Sequence, residues 1–197
     1  MSLRNVEVKS PKGAPPQGVP PAGRVSAAVL IVLSAILGIA ISICAWKGVG
    51  LLRERMSRES RYDALIVDAA MRNGVDPCLL KAVVWKESRF DRDTLGGKGE
   101  IGLMQIMPGA AVADWEKAHR TGKLMRGALT EPDLNLEIGS WYLARALRNW
   151  QDYRDKEILA LSEYNAGPQR ANLWKPAMPD GNAFALIDIA STRTYIK

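Results

Sequence analysis

The hydrophobic pattern divides the chain into a polar tail, one long apolar run and a region with amphipathic spacing. Residues 1–24 are rich in proline and glycine and cannot bury a core, so they are predicted to form a flexible tail. Residues 25–46 carry no charged side chain and are long enough to cross about 30 Å of hydrocarbon as a helix. We expect a transmembrane helix there, because a cleaved signal peptide has a shorter apolar stretch close behind its basic start.

The remainder of the chain is predicted to be a linker followed by one globular domain. Residues 47–59 mix charges of both signs, which is typical of a helical or frayed linker, and residues 60–197 are enough to bury a core. Basic residues flank the apolar run on both sides, so the positive-inside rule leaves the orientation of the anchor undecided.

Apolar residues of the domain recur at helical spacing, and no stretch alternates as a half-buried strand does, so we predict a mainly α fold. The first helix of the domain is predicted to end at Gly74 and to bury one face: Tyr62, Leu65, Ile66, Ala69, Ala70 and Asn73. Later helices are predicted from Pro108 towards His119, from Asn135 to Trp150 with Asp133 as cap, from Lys156 to Tyr164 with Asp155 as cap, over Gln169–Trp174, and from near Ile187. Gly139 is expected to allow a close helix crossing.

Glu87 stands where the apolar face of a helix calls for a core residue. The helix is predicted to begin with Asp76 as N-cap and Pro77 as first residue, and one face carries Leu80, Val83, Val84, Glu87 and Phe90. An inward carboxylate near a helix C-terminus is disfavoured as an anion, so we expect a raised pKa. A general acid for a poor leaving group needs such a pKa. The alternative is a structural glutamate paired with a buried lysine or arginine.

The composition argues against several kinds of binding site. The net charge is +6, but much of it lies in the tail and beside the apolar run. His119 is the single histidine and is expected at the surface, and the two cysteines lie in different regions, so no metal, cofactor or disulfide is predicted. Gly97, Gly99 and Gly102 form a GxGxxG string without the strand and helix that a dinucleotide site requires. No nucleic-acid partner is predicted.

Four ordered motifs carry a family resemblance. Glu87 is followed by Ser88, then by GLMQIMP at residues 102–108, by Asn135 with Ile138, Gly139, Tyr142 and Leu143, and by EYNAGP at residues 163–168. In this order and spacing the chain resembles the lytic transglycosylases of the soluble type, the goose-lysozyme-like domains that cleave peptidoglycan. The resemblance covers about Leu65 to Tyr195 and implies a lysozyme-like fold. It implies an enzyme that needs no cofactor. Because peptidoglycan lies in the periplasm, the apolar run is expected to anchor the chain in the inner membrane by a single pass, with the catalytic domain on the periplasmic side.

The resemblance implies roles for particular residues. Glu87 would be the single acid and base that cleaves the bond between N-acetylmuramic acid and N-acetylglucosamine and closes a 1,6-anhydro ring. The substrate would be bound by Ser88, Met104, Gln105, Tyr164 and Asn165, with Met107 as a further soft wall and Trp174 as the one tryptophan of the cleft. Gly102 and Gly167 would let backbone approach the glycan. Without the resemblance, Gln105 and Asn165 would read as caps or loop bonds and Tyr164 as a core ring.

Three positions depart from the family pattern. Gly96 stands where the family usually has a serine that positions the acid or the substrate, Glu100 where it has alanine, and Glu163 where it has a small residue. Ser88, Thr94 or a water could replace the serine. Either glutamate could raise the Glu87 pKa, bind a basic partner or position a water, or both could be solvated surface charges. The final helix, with Thr192, Arg193, Tyr195 and Ile196, is shorter than usual.

Two rival functions stay open on the sequence. A muramidase would add water through Glu100 or Glu163 instead of closing the anhydro ring. A noncatalytic module would bind glycan and recruit other proteins, which the loss of serine at position 96 favours. Against the second rival, a leucine at position 87 would stabilise a binding-only domain better than a buried carboxylate.

Overall fold

A computed structural model describes residues 26–109 and 111–197, except for the side chains of Ala27 and Arg55. The predicted tail of residues 1–24 and the start of the predicted anchor at Val25 lie outside the described residues. The chain divides into two units, residues 1–49 and 50–197. Helix α1, Ala27–Ser60, is the one described helix long and apolar enough to cross a membrane by length and composition. It runs through the predicted linker without a break.

The second unit is built from helices. In chain order they are α2 (Asp63–Asn73), α3 (Pro77–Ser88), α4 (Ala111–His119), a 3-10 helix (Arg126–Thr130), α5 (Pro132–Asn149), α6 (Lys156–Ala166), α7 (Pro168–Leu173), α8 (Ala183–Leu186) and α9 (Ala190–Ile196). Extended structure among the described residues is limited to two isolated bridges, Leu95 with Ile101 and Ile101 with Ile106. The expectation of a mainly α fold is confirmed.

The two helices that lead to Glu87 form for the reasons expected from the sequence. Gly74 ends α2 with a φ of 70°, a left-handed conformation that glycine adopts without strain. The Asp76 side chain caps α3 by accepting a hydrogen bond from the Leu79 backbone N–H, and Pro77 takes the first turn. Helix α3 ends earlier than its apolar pattern predicts, because Arg89 and Phe90 have φ values of 52° and 62°. Phe90 is nevertheless buried.

Several predicted helix ends are wrong by a few residues. Helix α4 begins at Ala111 and not at Pro108, and α5 begins at Pro132, with Glu131 as N-cap and Asp133 inside the first turn. Asp155 does precede α6, but its carboxylate accepts from the Ala183 backbone N–H, so its side chain ties the start of α8 to α6 and does not cap α6. The predicted last helix begins at Ala190 and not near Ile187, and the short helix α8 precedes the buried Ile187.

The core lies around α5, which packs on α2, α4 and α6. Its buried side chains include Leu136, Ile138 and Leu143, as the sequence predicts for a central helix. Gly139 permits a close approach, but its neighbour is not a helix. A Cβ at this position would lie 2.8 Å from the Cβ of Met104 in the loop after α3. The glycine therefore lets the GLMQ segment pack directly on α5.

Candidate active site

A cavity of about 440 Å³ lies between the end of α3, the loop after it and the junction of α6 with α7. Three carboxyl groups line it, Glu87, Glu100 and Glu163. The other lining residues are Gly96, Gly97, Lys98, Gln105, Ile106, Met107, Ala111, Tyr142, Tyr164, Asn165, Ala166, Gly167 and Pro168. The cavity thus joins segments that are separated by as much as 81 positions in the sequence, from residue 87 to residue 168.

Glu87 lies in the last turn of α3 and is half-buried. Burial raises its pKa from 4.5 to about 6, the hydrogen bond from Tyr195 opposes this, and the charge of Glu100 adds to it. The expected raised pKa is confirmed, with desolvation as its main cause. The carboxyl group is not unpaired, however, because the Tyr195 hydroxyl donates to Oε1 at 2.7 Å. A neutral phenol, and not the lysine or arginine of the alternative hypothesis, is its partner.

Tyr195 is the residue that sequence reasoning missed. It lies on α9, which is held on one side by the Thr192 hydroxyl donating to Asn165 Oδ1 at 2.9 Å. On the other side, the ammonium group of Lys86 donates to the Thr194 carbonyl at 2.6 Å. Burial and the neighbouring Glu87 charge raise the pKa of Tyr195, so it stays a neutral donor. The three-residue spacing of Thr192 and Tyr195, which puts both on one helix face, was the available signal.

Asn135 organises the loop that carries GLMQ, and we call this fully buried residue and its three bonds the Asn135 junction. Its Oδ1 accepts from the Met104 backbone N–H at 2.8 Å, and its Nδ2 donates to the carbonyls of Ile101 at 2.9 Å and Leu129 at 2.8 Å. Gly102 fits against it with a φ of 81°, where a Cβ would lie 2.8 Å from the Leu129 carbonyl oxygen. Gly102 is thus needed for internal packing, and the expectation that it approaches the glycan is wrong.

The predicted binding residues divide into two groups. Gln105, Tyr164 and Asn165 line the cavity, whereas Ser88 and Met104 are buried and are not among the residues that line it. The Ser88 hydroxyl donates to the Val84 carbonyl of its own helix. The Met104 carbonyl accepts from the Tyr164 hydroxyl at 2.8 Å. Ser88 and Met104 therefore support the wall, and Met104 does so by holding the Tyr164 ring.

The two unusual carboxylates have different surroundings. Glu163 is 2% exposed and accepts from Trp150 Nε1 at 2.7 Å and from Asn149 Nδ2 at 3.1 Å, so the idea that it is a solvated surface charge is wrong. Glu100 is half-buried and accepts from the Lys98 backbone N–H at 2.8 Å. Of the two, Glu100 is the one whose negative charge adds to the raised Glu87 pKa, which favours Glu100 over Glu163 as the predicted modulator.

The tryptophan predicted for the cleft lies elsewhere. Trp174 is 3% exposed, and its indole N–H donates to Asp188 at 2.9 Å, so it belongs to the core beside α7. Met107 lines the cavity, as the sequence allowed. His119 is exposed and stacks on Trp115 with ring centroids 4.3 Å apart. No group of three or more His, Cys, Asp or Glu side chains in the described ranges is arranged to hold a metal ion.

Comparison with known families agrees with this geometry. Residues 64–186, well over half of the chain, match the family described as the transglycosylase SLT domain. The chain belongs to this family. The match includes Glu87, the GLMQ loop, the Asn135 junction and the YNAG segment, but it ends before Tyr195.

Relatives of this SLT domain include both soluble and membrane-bound proteins. The soluble lytic murein transglycosylase of Escherichia coli K12 is 32% identical over 120 residues, which are 59% of this chain and 18% of the relative. The membrane-bound lytic murein transglycosylase C of Serratia proteamaculans is 28% identical over 115 residues, 56% of this chain and 32% of the relative. The chain thus spans between about a fifth and a third of the length of these curated relatives.

Solved structures show that the SLT domain has the lysozyme-like fold expected from the sequence. The lytic transglycosylase Slt of Pseudomonas aeruginosa, solved as an inactive mutant with glutamine in place of a glutamate, gives a TM-score of 0.60 at 28% identity. It is covered over 22% of its length by 70% of this chain. The 70 kDa soluble lytic transglycosylase of E. coli gives 0.59 at 27% identity, with coverages of 22% and 69%.

Proposed function

We propose that this chain is a lytic transglycosylase that cleaves the β-1,4 bond between N-acetylmuramic acid and N-acetylglucosamine in peptidoglycan. The observation that carries the proposal is the half-buried carboxyl group of Glu87, which lines a 440 Å³ cavity and has a pKa of about 6. An acid with this pKa keeps a working protonated fraction near neutral pH and can transfer a proton to a glycosidic oxygen. The names of the relatives support peptidoglycan as the substrate.

The reaction needs one carboxyl group in two roles. Protonated Glu87 gives its proton to the glycosidic oxygen as the bond from that oxygen to C1 of the muramic acid breaks. The carboxylate that results takes the proton of the C6 hydroxyl of the same sugar, whose oxygen forms the new bond to C1. The product is a 1,6-anhydro ring, no water is consumed, and Glu87 returns to its acid form. A second carboxylate acting as nucleophile or base, as in most glycosidases, is not required.

Gln105, Tyr164 and Asn165 are proposed to hold the glycan. The Gln105 Nε2 already donates to the carbonyls of Thr94 and Gly102, so its Oε1 is the atom for an acetamido N–H. Asn165 Oδ1 already accepts from Thr192, which leaves its Nδ2 to donate to an acetyl or hydroxyl oxygen. Tyr164 supplies a ring face, since its hydroxyl donates to Met104. Ser88 and Met104 are proposed to support the residues that line the cavity and not to contact the glycan themselves.

The proposed site of action is the periplasmic face of the inner membrane, with α1 as a single anchor helix. The apolar composition of α1 and the membrane-bound relatives support this anchor. Peptidoglycan as substrate requires the second unit to lie on the wall side of the membrane. Glycan strands and the membrane are thus the partners that we propose.

Product analysis tests the function. The purified full chain in mild detergent is incubated with peptidoglycan, beside Glu87→Gln and the control Glu116→Gln, and the products are identified by mass spectrometry. Glu116 is a suitable control, because it is half-buried and accepts a backbone N–H from Leu124 but does not line the cavity. We expect products ending in 1,6-anhydromuramic acid from wild type and control, and a loss of about 10²- to 10⁴-fold with Glu87→Gln.

Two results would contradict the proposal. Glu87-dependent products with reducing ends would identify a muramidase, for which the additional carboxylates in the cavity would supply a base. Glycan binding without any Glu87-dependent product would identify a noncatalytic module.

A further inference from the structure

On the cavity wall, the Glu100 side chain fills the space that a side chain at position 96 would need. The Gly96 backbone N–H donates to the Glu100 carbonyl at 2.9 Å, so the two residues face each other across a tight turn. A Cβ at position 96 would lie 2.9 Å from the Cβ of Glu100 and 2.7 Å from Gln105 Oε1, and it would also meet Glu100 Oε2. Real Cβ atoms do not come this close to other heavy atoms. A side chain at position 96 is therefore incompatible with Glu100 in its present place.

The constraint at position 96 is one of space and not of backbone conformation. Gly96 is not among the glycines with positive φ, unlike Gly99 and Gly102 in the same loop. Other residues could adopt its backbone angles if the volume were free. Glu100 can thus take its position because residue 96 has no side chain, and its own side chain fills the volume next to residue 96.

The Glu100 carboxylate is held in place. Its Oε2 accepts from the Lys98 backbone N–H, and this turn is braced from outside by Arg126, whose guanidinium donates to the Gly99 carbonyl at 3.2 Å. Glu100 takes part in none of the ion pairs found among the described residues. A carboxylate held by a backbone hydrogen bond therefore lines the same cavity as Glu87.

We propose that Glu100, admitted to the wall by Gly96, is a positioning residue that sets the pH range in which Glu87 acts as the acid. This inference rests on the cleavage reaction proposed above. Glu100 acts through Glu87 and need not touch the reacting atoms. In chains with a side chain at position 96, this carboxylate could not occupy the same volume. Gly96 therefore does more than remove the polar side chain expected there, because it makes room for Glu100.

The other groups around Glu87 act differently. Tyr195 on α9 stabilises the carboxylate through its hydrogen bond, which opposes the raised pKa. On α6, the Tyr164 hydroxyl is turned to the Met104 carbonyl. The remaining charged groups that line the cavity are Lys98 in the loop and Glu163 on α6, which is bonded to Trp150 and Asn149. Apart from burial, Glu100 is the group that raises the Glu87 pKa.

The first test is the pH dependence of kcat/KM for the full chain in detergent with purified peptidoglycan. Removing the negative charge in Glu100→Gln lets Glu87 ionise more easily, so the alkaline limb of the profile should move to lower pH. Glu116→Gln, which loses a glutamate of similar exposure away from the cavity, should leave the limb where it is in wild type. A limb in Glu100→Gln that coincides with wild type would overturn the proposal.

The second test asks whether Gly96 and Glu100 act as a unit. Gly96→Ala should lower both the melting temperature and kcat/KM in the wild-type background, because the new Cβ meets Glu100. The same change made in a Glu100→Gly background should cost clearly less, because both the Cβ and the carboxylate of residue 100 are gone and only the flexible end of Gln105 remains in contact. Equal effects in both backgrounds would contradict the coupling. Should Gly96→Ala fail to fold alone, recovery of folding in the double variant would itself show the coupling.

Failure of this inference can be told apart from failure of the proposed function. If wild type yields no Glu87-dependent product, the function is wrong. If wild type yields the anhydro product and Glu100→Gln keeps the wild-type profile, the function stands and the role of Glu100 is wrong.

Discussion

The Asn135 junction and the Glu87 wall are two polar centres of one domain, and they differ in how completely their atoms are bonded. Asn135 is fully buried, and its amide makes one bond as acceptor and two as donor to three backbone groups. Glu87 is half-buried, accepts one bond from Tyr195 and lies near a second carboxylate. A buried amide whose hydrogen bonds are all made holds a loop in place. A half-buried carboxyl group with few hydrogen bonds to its anion stays protonated to a higher pH and can donate that proton. The domain thus combines a fully hydrogen-bonded amide in its core with a titratable carboxyl group on the cavity wall.

The largest expected effect on stability comes from replacing Asn135. Asn135→Leu keeps a similar volume but leaves the Met104 N–H and the Leu129 carbonyl buried without their partner, while the Ile101 carbonyl keeps only the bond from the Ile106 N–H. We expect a loss of about 4 kcal/mol in the free energy of unfolding, since each buried unpaired group costs about 1–3 kcal/mol. Chemical unfolding followed by tryptophan fluorescence measures it. The control Asn172→Leu removes one exposed bond to Pro168 and should cost far less; equal losses would remove the distinction between the two centres.

Replacing Glu87 is expected to change stability in the opposite direction and to make the protein more stable. Folding raises the Glu87 pKa from 4.5 to about 6, so the folded state favours the protonated form. The stability gained is fully present below pH 4.5 and is lost as the pH rises through 6, which leaves an ionisation cost of about 2 kcal/mol at higher pH. Glu87→Gln should therefore be more stable than wild type by up to about 2 kcal/mol near pH 7.5, and equal to it near pH 4.

Unfolding of wild type and Glu87→Gln across this pH range checks the prediction, with Glu116→Gln as the control that should follow wild type throughout. A Glu87→Gln protein that is less stable than wild type near pH 7.5 would mean that the Glu87 anion is well solvated in the folded protein. In that case the contrast with Asn135 would be wrong.

The smallest effect is confined to the pH profile of activity. Tyr195→Phe removes the hydrogen bond that stabilises the Glu87 carboxylate, so the Glu87 pKa should rise and the alkaline limb of kcat/KM should move to higher pH. This is opposite to the shift expected for Glu100→Gln. Tyr153→Phe, a tyrosine packed on Trp150, serves as control and should leave the limb unchanged. A shift of the Tyr195→Phe limb to lower pH would contradict the role of the phenol.

Much of the framework could be predicted from the sequence, because its causes are local. The cap at Asp76, Pro77 after it and Gly74 before it define where α3 begins, and the apolar spacing turns Glu87 inward. The ends of α4 and α5 were misplaced by three residues each, since proline and acidic residues fit several positions of a first turn. The apolar run of α1 and the ordered motifs also needed no structure to be recognised.

The contents of the site could be predicted only in part. Gln105, Tyr164 and Asn165 do line the cavity, but Met104 and Trp174 are buried in the core, although both are residue types that can line a sugar site. Periodicity states which face of a helix is buried, and it cannot distinguish a core position from a cavity wall. That distinction depends on which other segment covers the face.

The sequence by itself determined the helices, the inward direction of Glu87 and the family, because these follow from spacing, caps and motifs along one stretch of chain. Only the tertiary structure decided that Tyr195, 108 positions from Glu87, is its partner. Only the structure likewise decided that Gly96 and Glu100 exclude each other's side-chain volume. The physical reason is that a pKa depends on solvent exclusion and on the donors and charges within a few ångströms, and distance in sequence does not report distance in space.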